Sequence, residues 1–160
     1  MSIINHKPHK AIYGNEKTSV KIFKNSLHFY ILENKARMVK AEDLSIVFEP
    51  FGLLNQEVLI KLNPVIATSL LEPILVNVEG SFIYCYEAGL IPDLCNDILL
   101  NKHLPNSFRE LGRILYDSLL KTGIGIYPLV DEVVGYKPKH GEYAELFNKA
   151  YKEATNRIRG

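Results

Sequence analysis

The sequence predicts an α+β fold, small antiparallel strands and hairpins packed with a cluster of helices, and three features predict it. The β-rich runs and the helix-like runs lie in separate blocks, without the strict alternation of a doubly wound sheet. Hairpin signatures occur at 20–32 and again at 74–86. Helical patterns then follow the second hairpin directly, over 88–100 and 107–119.

The elements follow in order along the chain. Residues 1–17 carry Lys7, Pro8, His9, Lys10, Gly14, Asn15 and Lys17 without apolar periodicity, so an irregular N-terminal arm is expected, with a single α+β domain over 18–160. Val20-Lys21-Ile22-Phe23 and Leu27 to Leu32 are strand-like runs, parted by the polar Lys24-Asn25-Ser26. A turn at Glu33-Asn34-Lys35 leads into a third short strand at Ala36-Arg37-Met38-Val39, and a helical run starts at Ala41 and ends near Gly52. Asn63-Pro64 divides 53–72 into two short helices, because proline disfavours the α conformation of the residue before it.

The clearest hairpin joins 73–78 to 81–86 through Glu79-Gly80, where glycine accepts a positive φ without steric cost. In its second strand Phe82, Tyr84 and Tyr86 share one face and Ile83 and Cys85 the other, so cover is expected on both. The helix over 88–100 takes Pro92 in its first turn. Ser107-Phe108-Arg109-Glu110 has the capping-box pattern, Leu111, Ile114, Leu115, Ser118 and Leu119 make one apolar stripe, and Gly123 supplies the stop. A terminal helix begins near Tyr143, with Lys152, Arg157 and Arg159 toward its end, the favourable sign for its dipole.

Composition bounds the function without selecting it. The 160 residues are 47% apolar and 23% charged, an ordinary globular mixture sized for one domain, and a net charge of +1 gives no whole-molecule attraction to nucleic acid or membrane. No run approaches the roughly 18 apolar residues of a membrane span, and the first residues lack the apolar stretch of a secretory signal, so no membrane partner and a cytoplasmic setting are expected. Cys85 and Cys95 have no CxxC spacing and are read as buried structural thiols. The five histidines show neither HxH nor HExxH spacing, and no Walker, kinase, Rossmann or GxSxG motif occurs, so neither a metal, a cofactor nor a catalytic residue is assigned.

The stretch least explained by packing is Gly125 to Tyr136, where Asp131-Glu132 sits between an apolar run and Gly135-Tyr136. Adjacent carboxylates either belong to the first turn of a short helix that starts near Pro128 and stops at Gly135, or form a pair able to bind a hard cation or work as an acid. Asp131, Glu132, Gly135, Tyr136, Lys137 and Lys139 are therefore the candidate binding residues, read as a solvent-reachable corner in which Gly135 lets Tyr136 present its hydroxyl. Asp93 and Asp97, one helical turn apart, are either a second acidic pair or two solvated acids. Basic and aromatic residues interleave at both ends, from Lys7 to Tyr30 and from Tyr136 to Arg159; if the ends met in space, they could hold a phosphate backbone and stack on bases.

In order, Ala11-Ile12-Tyr13-Gly14, Leu32-Glu33-Asn34-Lys35-Ala36-Arg37, Tyr84-Cys85-Tyr86-Glu87-Ala88, Leu90-Ile91-Pro92-Asp93-Leu94-Cys95 and the block from Gly125 to Tyr136 resemble the phage and prophage family named after the P-sixty-three protein of a Myxococcus bacteriophage. In that family the last block reads Val-Asp-Glu-Ala-Thr-Gly-Tyr-Gln, and Val133, Val134 and Lys137 replace its Ala, Thr and Gln here. The resemblance concerns the region preceding the family's C-terminal part and implies a mobile-element origin more than a mechanism. A fainter likeness, to the N-terminal modules of phage antirepressors and Bro-type proteins, is one of fold alone.

These readings favour a phage or prophage accessory protein that regulates by binding DNA or another regulator, without catalysis. One alternative is a cation-dependent hydrolase or nuclease in which Asp93 or Glu87 joins Asp131 and Glu132. Another is a protein-binding module acting on a host factor, with an exposed apolar patch or a homodimer surface.

Overall fold

The computed structural model describes residues 8–22, 24–52, 55–119 and 125–146, together with 148, 152 and 156. Six strands, β1 (His9–Tyr13), β2 (Ser19–Ile22), β3 (Asn25–Leu32), β4 (Arg37–Lys40), β5 (Ile74–Val78) and β6 (Ser81–Glu87), run in the order β1-β5-β6-β4-β3-β2. An added pairing of β1 with β3 closes five of them into a barrel, with β2 outside the ring on β3. Strands that alternate in direction cannot close a ring of odd number, so one pair must run parallel. That pair is β1 with β5; every other pairing is antiparallel.

The α+β expectation therefore holds in its coarse form, and the barrel is more specific than it. The second hairpin forms as read, Val78 facing Ser81 with Glu79 at φ 52 and Gly80 at φ 91 in the tight turn. The first also forms, but Ile22 faces Asn25, so Asn25 and Ser26, expected between the strands, instead open β3. The expected irregular arm at 1–17 is corrected over its described part. β1 is a barrel strand, because its pairing with β3 and β5 satisfies a backbone whose side chains gave no periodic signal.

Helices α1 (Ala41–Val47), α2 (Gln56–Lys61) and α3 (Pro64–Leu71) fill the connection between β4 and β5. Asn55 and Asn63 cap α2 and α3 through their side-chain oxygens, and Pro64 opens α3, which is why the chain breaks where the sequence indicated. After β6 come α4 (Leu90–Leu100), α5 (Asn106–Leu119) and α6 (Tyr127–Val134). The expected capping box does not form. α5 starts at Asn106, the Pro105 carbonyl accepts the Phe108 and Arg109 amides, and Ser107 already lies inside the first turn. Ile114 is partly exposed, whereas Leu115 is buried and Phe108 and Leu111 pack on the core. The Ser118 and Leu119 side chains, the stop at Gly123 and most of the terminal helix lie outside the described residues.

Two apolar clusters share the barrel wall. Tyr30, Leu32, Met38, Val76, Val78 and Cys85 fill the lumen, while Phe29, Ile31, Val39 and Tyr86 point outward into the larger cluster shared with the helices, α1 and α6 lying against the strands. Cys85 and Cys95 are buried free thiols, pushed up to about 12 by burial. β3 is thus buried on both faces over Phe29–Leu32, as the apolar run there demands. β6 departs from its expected cover. Its lumen face is packed, but outside only Tyr86 lies under a helix, its hydroxyl donating to the Leu70 carbonyl at 2.6 Å, whereas Phe82 is 62% and Tyr84 57% exposed. Among the described residues no helix is long and apolar enough to cross a membrane.

Candidate functional site

The 125–136 block leads to a buried charge. β4 begins at Arg37, straight after a turn in which Lys35 takes φ 69 and donates its amide to the Leu32 carbonyl at 2.9 Å. The strand alternation that sends Met38 into the lumen sends Arg37 outward, beneath α6. α6 starts with Pro128 at its first turn and ends at Gly135, φ 77, so the helix is where the sequence put it. Asp131 falls on its second turn, on the face toward the barrel. The first-turn capping role expected for it is therefore corrected: the side chain meets Arg37, which no capping argument supplies.

The contacts fill both groups. Arg37 donates Nε to Asp131 Oδ1 and Nη2 to Asp131 Oδ2, each at 3.0 Å, and Nη2 also reaches Glu142 Oε2 at 2.6 Å. Its Nη1 donates to the Lys35 carbonyl at 3.1 Å. Tyr143 donates its hydroxyl to Asp131 Oδ2 at 2.6 Å, and Tyr136 donates to Glu142 Oε1 at 2.5 Å. The guanidinium carbon lies 5.0 Å from the Tyr127 ring centre and 5.4 Å from that of Tyr136. Tyr127 in turn donates to Glu87 Oε1 at 2.8 Å. This is the bidentate fork geometry that makes an arginine–carboxylate pair strong.

Electrostatics agree with the geometry. Burial alone would lower the Arg37 pKa, yet the bonds to Asp131 and Glu142 outweigh it and raise it. Burial would likewise raise Glu142, but the bonds from Tyr136, Arg37 and the Lys139 amide hold it below the usual carboxylate range. The bond it donates to Glu142 pushes Tyr136 up to about 12, and burial, with Glu87 and Asp131 as acceptors, pushes Tyr127 and Tyr143 upward too. Chemically the arrangement is a tie between barrel, α6 and the helical segment at 142–146. Every oxygen of Asp131 already has a protein donor.

The sequence-predicted residues divide accordingly. Asp131 is 2% and Tyr136 7% exposed, which overturns the solvent-reachable corner; Glu132, Gly135, Lys137 and Lys139 are exposed. The cation reading fares no better. Glu87 serves Tyr127, Asp97 accepts the Asn63 amide at 3.2 Å, and among the described residues no group of three or more His, Cys, Asp or Glu side chains could hold a metal ion. A groove of about 380 Å³ between α1 and α5, lined by Ile46, Val47, Pro50, Leu111 and Leu115, shares no residue with this cluster.

The structure also joins what the sequence kept apart. Tyr13 of β1 packs edge-on against Tyr136 at 5.1 Å, and the Lys35 ammonium stands 4.9 Å from the same ring. Sequence reasoning missed Arg37, Glu142 and Tyr143 as partners of the block; the one signal was an arginine set directly before the apolar Met38-Val39. Comparison with known proteins finds no match to this chain among family models, curated proteins or solved structures.

Proposed function

We propose that the chain is a phage- or prophage-encoded accessory protein that regulates by binding DNA or another regulator, and that it does no chemistry of its own. The observation that carries the reading is the meeting of its two basic–aromatic stretches. Tyr13 and Tyr136 are in contact, Lys35 caps the same ring, and exposed Lys137 and Lys139 follow directly. Such a cluster of cations around aromatic rings suits a phosphate backbone. The acidic pair argues the same way by subtraction, since Asp131 is spent on Arg37 and Tyr143. The mobile-element part of the reading rests on the family resemblance, and phage-type neighbouring genes are its expected signature.

The test is a titration of labelled duplex and single-stranded DNA at rising salt. Affinity should fall linearly on a log–log scale, and replacing Lys35, Lys137 and Lys139 by alanine should make the slope shallower by about 0.9 per lost duplex phosphate contact. Absence of binding even at low salt removes the DNA version and leaves the regulator.

A further inference from the structure

The outer wall of the barrel changes character along β6. Tyr86 is covered, while Tyr84 and Phe82, on the same face, are bare. Across β5, Leu75 stands opposite Tyr84 and Asn77 opposite Phe82; across β1, Lys10 stands opposite Asn77. One row therefore reads Lys10, Asn77, Phe82, and the next Leu75, Tyr84. The backbone positions of Phe82 and Tyr84 are about 6.6 Å apart along the strand, at roughly 3.3 Å per residue. An exposed aromatic pair on a sheet is a surface with something left to cover.

We propose that this outer face of β1, β5 and β6 binds a single strand of nucleic acid, Phe82 and Tyr84 each stacking on an unpaired base and Lys10 lying against the phosphates. The inference rests on the reading that the chain binds nucleic acid, and it names which kind. A duplex offers only base edges in its grooves, whereas unpaired bases offer the flat faces that exposed rings stack on. A protein partner fits less well, because the centre of a dry protein interface is depleted in lysine, and here lysine and an amide occupy the row beside Phe82. Glu72 and Glu79 flank the two ends of β5, and Lys10 on β1 is the cation of the Asn77–Phe82 row. β1 also carries Tyr13 to the Tyr136 contact, which places the Lys35, Lys137 and Lys139 cluster next along the strand's path.

The chain has no tryptophan, so Phe82→Trp supplies a single reporter on the proposed platform. Titrated with short oligothymidylate, its emission should be quenched as a base stacks on it. Tyr84→Ala and Phe82→Ala should each weaken binding of labelled oligothymidylate by about 5- to 150-fold, the equivalent of one lost base stack. Circular dichroism and thermal midpoints of these variants should match the parent. Oligothymidylate that binds equally to the parent and both alanine variants, without quenching Phe82→Trp, overturns this face while leaving the DNA reading intact. So does duplex binding without single-strand binding. No binding of either nucleic acid ends both, and a dimer that Phe82→Ala dissolves assigns the face to a second copy of the chain.

Discussion

Aromatic residues are used in opposite ways in two regions of this protein. Around Arg37, Tyr127, Tyr136 and Tyr143 spend their hydroxyls on carboxylates, and two of the three rings also pack against a guanidinium. On β6, Phe82 and Tyr84 stand bare beside a lysine and an amide. The first region resembles a reactive centre in its residue types and is saturated. The second is ordinary strand sequence and is unsatisfied. Available surface, not chemical promise, separates the two roles.

The comparison breaks most readily at Arg37. Arg37→Ala leaves Asp131 buried without its counter-charge and should cost about 3–5 kcal/mol in urea denaturation; a loss under 1 kcal/mol would mean that water reaches the cluster. Asp131→Asn keeps shape but turns an NH2 toward a guanidinium N–H, and about 2 kcal/mol is expected by the same measurement. Tyr143→Phe removes one donor from Asp131 and should cost about 1 kcal/mol, little enough to leave the fold intact.

Acid supplies a milder probe. The fold holds the Glu142 carboxyl below the ordinary range, so its contribution is present above the unfolded glutamate pKa and is lost as pH falls through the folded one. The parent should lose stability below roughly pH 4 more steeply than Glu142→Gln, and identical pH profiles would exclude that tie. Smallest of all is Phe82→Ala. Its stability change should stay within about 0.5 kcal/mol, because an exposed ring packs on little, while oligonucleotide binding suffers. A large stability loss there would erase the contrast between the two regions.

Much of the scaffold was legible along the chain. Asn63-Pro64 marks a helix break, Glu79-Gly80 a tight turn, and Pro128 with Gly135 the ends of α6, because each acts through its own backbone conformation. β1 was not legible: the pairing that makes it a strand comes from β3 and β5, remote in sequence. Ser107 misled for a related reason, since Pro105 and Asn106 start the helix earlier than the side-chain pattern suggests. Asp131 was singled out but misassigned. Its partner lies 94 residues away, and no local pattern encodes a contact of that separation.

The sequence alone determined the α+β class, the two hairpins and the ends of the short helices, because propensity, turn chemistry and capping act within a few residues. Tertiary structure decided the closure of the barrel, the burial of Asp131 and Tyr136, and the exposure of Phe82 and Tyr84. Those outcomes depend on which distant element covers a given face, and the period of a strand states only that there are two faces to cover.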